Sequence, residues 1–149
     1  KRCSGIILTP NSDAGGEIIN DKIEKTLLTP YFKKYFRAVN HMKRAEYLDS
    51  LFNSDLLIGN SSSGIIESAS LNVPCLNLGS RQNHRLRNSN VFDCKHFNIF
   101  ELDTMFDEAV SFAGEYENKY FKENTVNAIL QLIVRTELKS ELLSKLNTY

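Results

Sequence analysis

Short apolar runs alternate with amphipathic stretches along the first two thirds of the chain, and the periods of the two differ. Cys3–Thr9 (CSGIILT) reads as a strand that ends in the turn signal Pro10–Asn11–Ser12–Asp13. Glu17–Leu28 carries Ile18, Ile19, Ile23 and Leu27 at helical spacing and stops at Thr29–Pro30. Tyr35–Val39 is a second strand, and Lys43–Asn53 is a helix with Tyr47, Leu48, Leu51 and Phe52 on one face. Asp55–Gly59, Cys75–Leu78 and Asn90–Cys94 read as further strands, with a helix over Ser62–Leu71 between the first two. From about Asn98 the pattern is helical to the end. Its three stripes are Leu102, Phe106, Ala109, Val110 and Ala113, then Ala128, Ile129, Leu132 and Ile133, then Leu138, Leu142, Leu143 and Leu146.

Strands that are apolar throughout, separated by amphipathic helices, predict an α/β protein with a mostly parallel, doubly wound, Rossmann-like sheet followed by C-terminal helices. The G-x-G-x-x-G dinucleotide fingerprint is absent, which argues against NAD or FAD. The 149 residues fit a single domain, 1–149, with 98–149 mostly helical.

Composition narrows the function classes without choosing one. Hydrophobic residues make up 42% and charged residues 24%, as in an ordinary globule. Eighteen basic residues balance eighteen acidic ones, so no bulk field favours nucleic acid or a membrane surface. No apolar run reaches the roughly 20 residues that span a bilayer. No secretory signal is visible, and the chain begins at Lys1. Cys3, Cys75 and Cys94 are odd in number, lack metal-ligand spacing and lie in or beside apolar strands. They read as reduced core thiols of a cytoplasmic protein. No metal cluster or cofactor motif is present, and none is expected.

Candidate chemistry concentrates in Asp55–Glu67, DLLIGNSSSGIIE. An apolar strand feeds Gly59, then Asn60, Ser61, Ser62, Ser63 and Gly64, then a helix start. Such a turn offers serine hydroxyls and backbone N–H groups to an anion, reinforced by the helix dipole. Gly64, without a Cβ, lets backbone approach a ligand. Glu67, one turn into the helix, is placed to accept hydrogen bonds from sugar hydroxyls. The same residues would equally serve as an ordinary strand-to-helix turn capped by serines, with Glu67 favoured by the dipole. The next strand, PCLNL, runs into Gly79, Ser80, Arg81 and Gln82, then Arg85 and Arg87. Loops at the carboxyl ends of adjacent parallel strands share a crevice, so these arginines could reach an anion held by the serine turn. A solvated basic loop is the plainer reading.

GNSSSGIIES, VPCLNLGSRQNHRLR and NVFDC, with TPNSDAGG (Thr9–Gly16) and YFRAVNHM (Tyr35–Met42) upstream, resemble the hydrolysing UDP-N-acetylglucosamine 2-epimerases of sialic and related nonulosonic acid biosynthesis, pathways that supply surface polysaccharides. The resemblance covers roughly residues 5–95 and that family's carboxyl-terminal half. It implies one half of a glycosyltransferase-B-like two-domain enzyme that converts UDP-N-acetylglucosamine and water to N-acetylmannosamine and UDP. It places UDP diphosphate at Ser61, Ser62, Ser63 and Gly64, ribose at Glu67, the uracil near Val39, the sugar side at Asn11, and phosphates or sugar at Arg81. It leaves His41, Asp13 and Arg85 without assigned roles. The catalytic carboxylates and histidine would lie in a preceding amino-terminal domain, so the chain alone should bind without turnover. A homo-oligomer of the full-length protein is also implied. A glycosyltransferase of the same architecture and a non-catalytic UDP-sugar sensor remain alternatives.

Overall fold

The structure is a computed structural model that describes residues 3–10, 15–96 and 98–136. Asn11, Asp13 and the helix expected over Glu137–Leu146 lie outside the described residues. The elements are β1 (Gly5–Leu8), α1 (Gly16–Leu27), α2 (Pro30–Tyr35), β2 (Phe36–Val39), α3 (Arg44–Phe52), β3 (Leu57–Gly59), α4 (Ser63–Ile66), β4 (Cys75–Leu78), β5 (Val91–Cys94), α5 (Ile99–Val110) and α6 (Thr125–Arg135). The chain is α/β with parallel strand pairing throughout, as the alternation predicts. It divides into two compact units, Lys1–Ser54 and Asp55–Tyr149.

In the first unit β1 pairs with β2, Gly5 opposite Phe36 and Leu8 opposite Val39. Thr29–Pro30 does end α1, but Pro30 also opens α2, which the sequence reading did not anticipate. Proline suits the first helical position because the N–H it lacks would have no helical partner there. Tyr31 of α2 then ties down the start of β1. Its hydroxyl accepts from the Cys3 N–H and donates to the Cys3 carbonyl, both at 2.8 Å. Cys3 itself is exposed, so it is not the core thiol expected; the strand begins only at Gly5. Rings of Tyr31, Phe32, Tyr35 and Phe36 pack together with centroids 4.8–6.2 Å apart.

In the second unit β4 is the centre of a three-stranded sheet of order β3-β4-β5. Leu57 stands opposite Cys75, and Cys75 opposite Val91. Flanked on both sides, β4 buries Cys75, Leu76 and Asn77, and Ile65, Ala69, Val73, Cys94 and Ala109 of α5 are buried with it. The predicted helix over Ser62–Leu71 is broken: α4 makes one turn, and Ser68–Leu71 continues as a 3-10 turn. The buried Ser68 hydroxyl donates to the Gly64 carbonyl at 2.7 Å, and Asn72 in the left-handed region (φ 55°) ends the segment. The Asn98 side chain caps α5, accepting from the Glu101 N–H at 2.8 Å. The helix stops at Val110, short of Ala113, where the Ser111 hydroxyl takes the Asp107 carbonyl at 2.7 Å. None of α6 is buried; Ile129, Leu132 and Ile133 of its stripe are exposed. Among the described residues no helix is long and apolar enough to cross a membrane.

Candidate functional site

The serine turn follows the carboxyl end of β3, and the basic loop follows that of β4. The two strands are hydrogen-bonded neighbours, so the loops emerge side by side. Gly79 turns the second loop out of its strand with a φ of 76°, a conformation that suits glycine. Its N–H still bonds the Cys94 carbonyl at 2.9 Å. The two loops are then tied directly: the buried Gln82 donates from Nε2 to the Asn60 carbonyl at 2.8 Å. This bond brings Ser61–Gly64 and Arg81, read from the sequence as partners, to one end of the sheet.

Inside the turn, geometry departs from the sequence reading in three ways. First, the amides meant for an anion are already used. The Ser63 N–H bonds the Ser61 hydroxyl at 3.3 Å, and the Gly64 N–H bonds the Ser61 carbonyl at 3.2 Å. These are long bonds, which a charged acceptor readily replaces. Secondly, a one-turn α4 sums few peptide dipoles, so side-chain donors carry most of any anion affinity. The half-buried Ser62 hydroxyl and the exposed Arg81 guanidinium have no partner among the described residues. Thirdly, Gly64 is buried, and a Cβ there would collide with Cys75 Sγ and press on Leu57. Its missing side chain lets α4 sit down on β4; that packing need explains the glycine without a ligand.

Glu67 sits where a ribose acceptor is expected, at the end of the single helical turn. The Ser63 hydroxyl donates to its Oε2 at 2.6 Å, so Ser63 orients the carboxylate in this structure. Val39 lies at the end of β2 in the other unit, and its carbonyl accepts the Thr9 N–H at 3.1 Å. His41 is exposed just beyond it.

Arg87 is not the anion ligand that the basic loop suggested. Its fork is taken up by Asp93: Nε to Oδ2 at 2.9 Å and Nη2 to Oδ1 at 3.1 Å. Its Nη1 donates to the carbonyls of Gln82 at 2.7 Å and Arg85 at 2.9 Å. Asn77 of β4 adds a 2.6 Å bond to Asp93 Oδ1. Partial burial alone would raise the Asp93 pKa; the Arg87 and Asn77 hydrogen bonds, with the charges of Arg87 and Lys95, outweigh it and hold the carboxyl below its ordinary value. Cys75 behaves oppositely. Burial, then the Asp93 charge, push its thiol up to about 12 against the smaller pull of Arg87, so it remains a neutral packing group.

A second polar lattice supports α4 from behind. Asn88 Nδ2 donates to the Ile65 carbonyl at 2.9 Å, and Asn118 Nδ2 to the Ile66 carbonyl at 2.7 Å. The buried Asn90 donates to Ser68 Oγ at 2.8 Å and to the Val73 carbonyl at 2.7 Å. Sequence reasoning missed Gln82, Asn88, Asn90, Asp93 and Asn118. The only signal was an acid, Asp93, six residues beyond Arg87; nothing local announces a bond across 52 residues. Among the described residues no cluster of three or more His, Cys, Asp or Glu side chains could hold a metal.

Residues 1–134 match the family of UDP-N-acetylglucosamine 2-epimerases. A UDP-N,N'-diacetylbacillosamine 2-epimerase (hydrolyzing) of Legionella pneumophila is 38% identical over 152 residues, covering 97% of this chain and 37% of that protein. Polysialic acid biosynthesis protein P7 of Escherichia coli is 36% identical, covering 91% of this chain and 34% of that protein. A GDP/UDP-N,N'-diacetylbacillosamine 2-epimerase (hydrolyzing) of Campylobacter jejuni is 33% identical, covering 83% and 29%. The chain thus spans only 29–37% of the length of these relatives. With a matched family model over nearly its whole length, this chain belongs to the UDP-N-acetylglucosamine 2-epimerase family.

Proposed function

We propose that this chain is the UDP-binding part of a hydrolysing UDP-sugar 2-epimerase, acting on a UDP-linked 2-acetamido sugar. Ser61, Ser62 and Arg81 hold the diphosphate, and Glu67, oriented by Ser63, accepts from the ribose hydroxyls. The family resemblance adds Val39 on the uracil side and Asn11 on the sugar side. The Gln82–Asn60 bond carries this reading, because it joins the serine turn and the arginine loop at one strand end.

The full-length enzyme has a two-domain, glycosyltransferase-B-like form in this account, and its acid and base groups lie outside the chain. A base there removes the proton at sugar C2, and UDP leaves from C1. Water then adds to the glycal-like intermediate, giving the free C2-epimeric sugar and UDP. The share of this chain is electrostatic. Arg81 and the serine hydroxyls stabilise negative charge as it builds on the departing diphosphate. Both N-acetylglucosamine and the diacetamido sugar named for two of the relatives fit the proposal.

Full-length protein should release UDP and free sugar from at least one of these two substrates, and the 149-residue chain alone should release neither. Tight UDP-sugar binding by the full-length protein without turnover would favour a sensing module. Release by the chain alone would move the catalytic groups into it. In the full-length protein, Glu67→Ala should weaken UDP about 10- to 150-fold, the loss of one charged hydrogen bond, and leave pyrophosphate within about twofold. Equal weakening of both ligands would take Glu67 off the ribose.

A further inference from the structure

We propose that Gln82 and Arg87 are positioning residues that set the spacing of the two anion-facing loops, an inference that rests on the UDP-binding reading above. Gln82 is gripped from both ends. Its carbonyl accepts Arg87 Nη1 at 2.7 Å, and its side-chain Nε2 reaches the Asn60 carbonyl at 2.8 Å. Arg87 is in turn anchored to the sheet, because Asp93 belongs to β5 and is bonded by Asn77 of β4. A continuous polar line therefore runs from the central strand β4 and the edge strand β5, through Arg87 and Gln82, to the residue that opens the serine turn.

Three observations set this apart from ordinary loop packing. Arg87 cannot be a diphosphate ligand in this arrangement, since it makes four hydrogen bonds within the protein and its charge is matched by Asp93. Arg81 is adjacent to Gln82, so fixing the Gln82 backbone fixes the root of the arginine that has no partner of its own among the described residues. Gln82 also carries a stability cost, as Asn77 and Asn90 do: it is 4% exposed, and its Oε1 is buried without a partner among the described residues. A methionine of similar size would fill the same space without an orphaned oxygen. The amide is there for the bond to Asn60, which holds the loops ready for a ligand before it arrives. Such preorganisation raises affinity by lowering the ordering cost of binding.

The test compares full-length wild type with Gln82→Met, Arg87→Lys and the double variant. UDP and uridine affinities are measured by calorimetry, and melting temperature by circular dichroism. Gln82→Met should melt no lower than wild type, bind UDP about tenfold more weakly, and bind uridine within about twofold. Arg87→Lys keeps the charge but loses the fork, and should weaken UDP about threefold on its own. Added to Gln82→Met it should cost less than about twofold more, because Arg87, bonded to the Gln82 carbonyl, reaches the serine turn through the Gln82 side chain. A merely structural role predicts lower melting, with UDP and uridine affected alike; that result, or fully multiplying effects in the double variant, overturns the proposal. If Gln82→Met does not fold, Arg87→Lys decides on the same split between UDP and uridine. A wild type that binds neither ligand overturns the reading of the site and this inference together.

Discussion

The two compact units use parallel strands in different ways. In the second, β4 has a neighbour on each side, Cys75, Leu76 and Asn77 are buried, and every loop of the candidate diphosphate site leaves this sheet. In the first, β1 and β2 pair only with each other among the described residues, and Ile6 and Leu8 are 40% and 44% exposed. The second unit also buries polar groups, Ser68, Asn77, Gln82, Asn88 and Asn90, which the first does not show among its described residues. Each of these side chains makes at least one hydrogen bond, which fixes its arrangement, although the amide oxygens of Asn77, Gln82 and Asn90 are buried without a partner among the described residues. The contrast teaches that the site gets its rigidity from a flanked strand and a polar lattice, not from helix length: α4 has only four residues.

Truncation at the two sheets is the strongest way to break that contrast. Leu76→Ala should destabilise the second unit by about 2–5 kcal/mol, the cost of a cavity in a packed core. Ile6→Ala should cost less than about 1.5 kcal/mol, since much of that side chain already meets water. Denaturant unfolding of the two variants checks the order, and equal losses would erase the difference between the units.

A smaller effect sharpens the role of α4. Gly64→Ala forces a methyl group into Cys75 Sγ and should cost about 1–3 kcal/mol. Cys75→Ala in the same chain should return part of that loss, so the double variant is less unstable than the two single losses added together. Simple additivity would mean that Gly64 is required for another reason.

The architecture was readable because strand and helix periods differ, and parallel sheets demand continuous apolar runs. The placement of the candidate motifs was readable: the serine turn with Glu67 follows β3 and Arg81 follows β4, as the pattern predicts, while their roles toward a ligand are what we propose. What escaped was held together across the chain. The helix over Ser62–Leu71 is interrupted at Glu67, and the Ser68 hydroxyl bonds back to Gly64 and accepts from Asn90; the helical period says nothing of the second partner. Arg87 looked like Arg81 and Arg85 in sequence; only the return of β5 beside β4 brings Asp93 to it. Pro30 was read as a stop when it is a stop followed by a start. The Gly64 reading chose ligand access where the Cys75 thiol supplies the physical reason.

The smallest expected effect is on acid stability. Asp93 has a folded pKa below its ordinary 3.8, so its contribution is fully present above the unfolded value and is lost as pH falls through the folded one. Wild type should lose stability as pH drops below about 4, and Asp93→Asn should lose less over the same window, starting from a lower plateau at neutral pH. Parallel curves for the two proteins would mean that the Arg87–Asp93 pair is not linked to folding.

The central claim is that the serine turn and the arginine loop hold one diphosphate between them. Amide chemical shifts of the full-length protein, followed as UDP is added, test it most directly. The account predicts that residues 60–64 and 79–82 move together, with one shared saturation curve, while the interior of β4 stays nearly still. Saturation by UDP with shifts in only one of the two loops, or in neither, would contradict it.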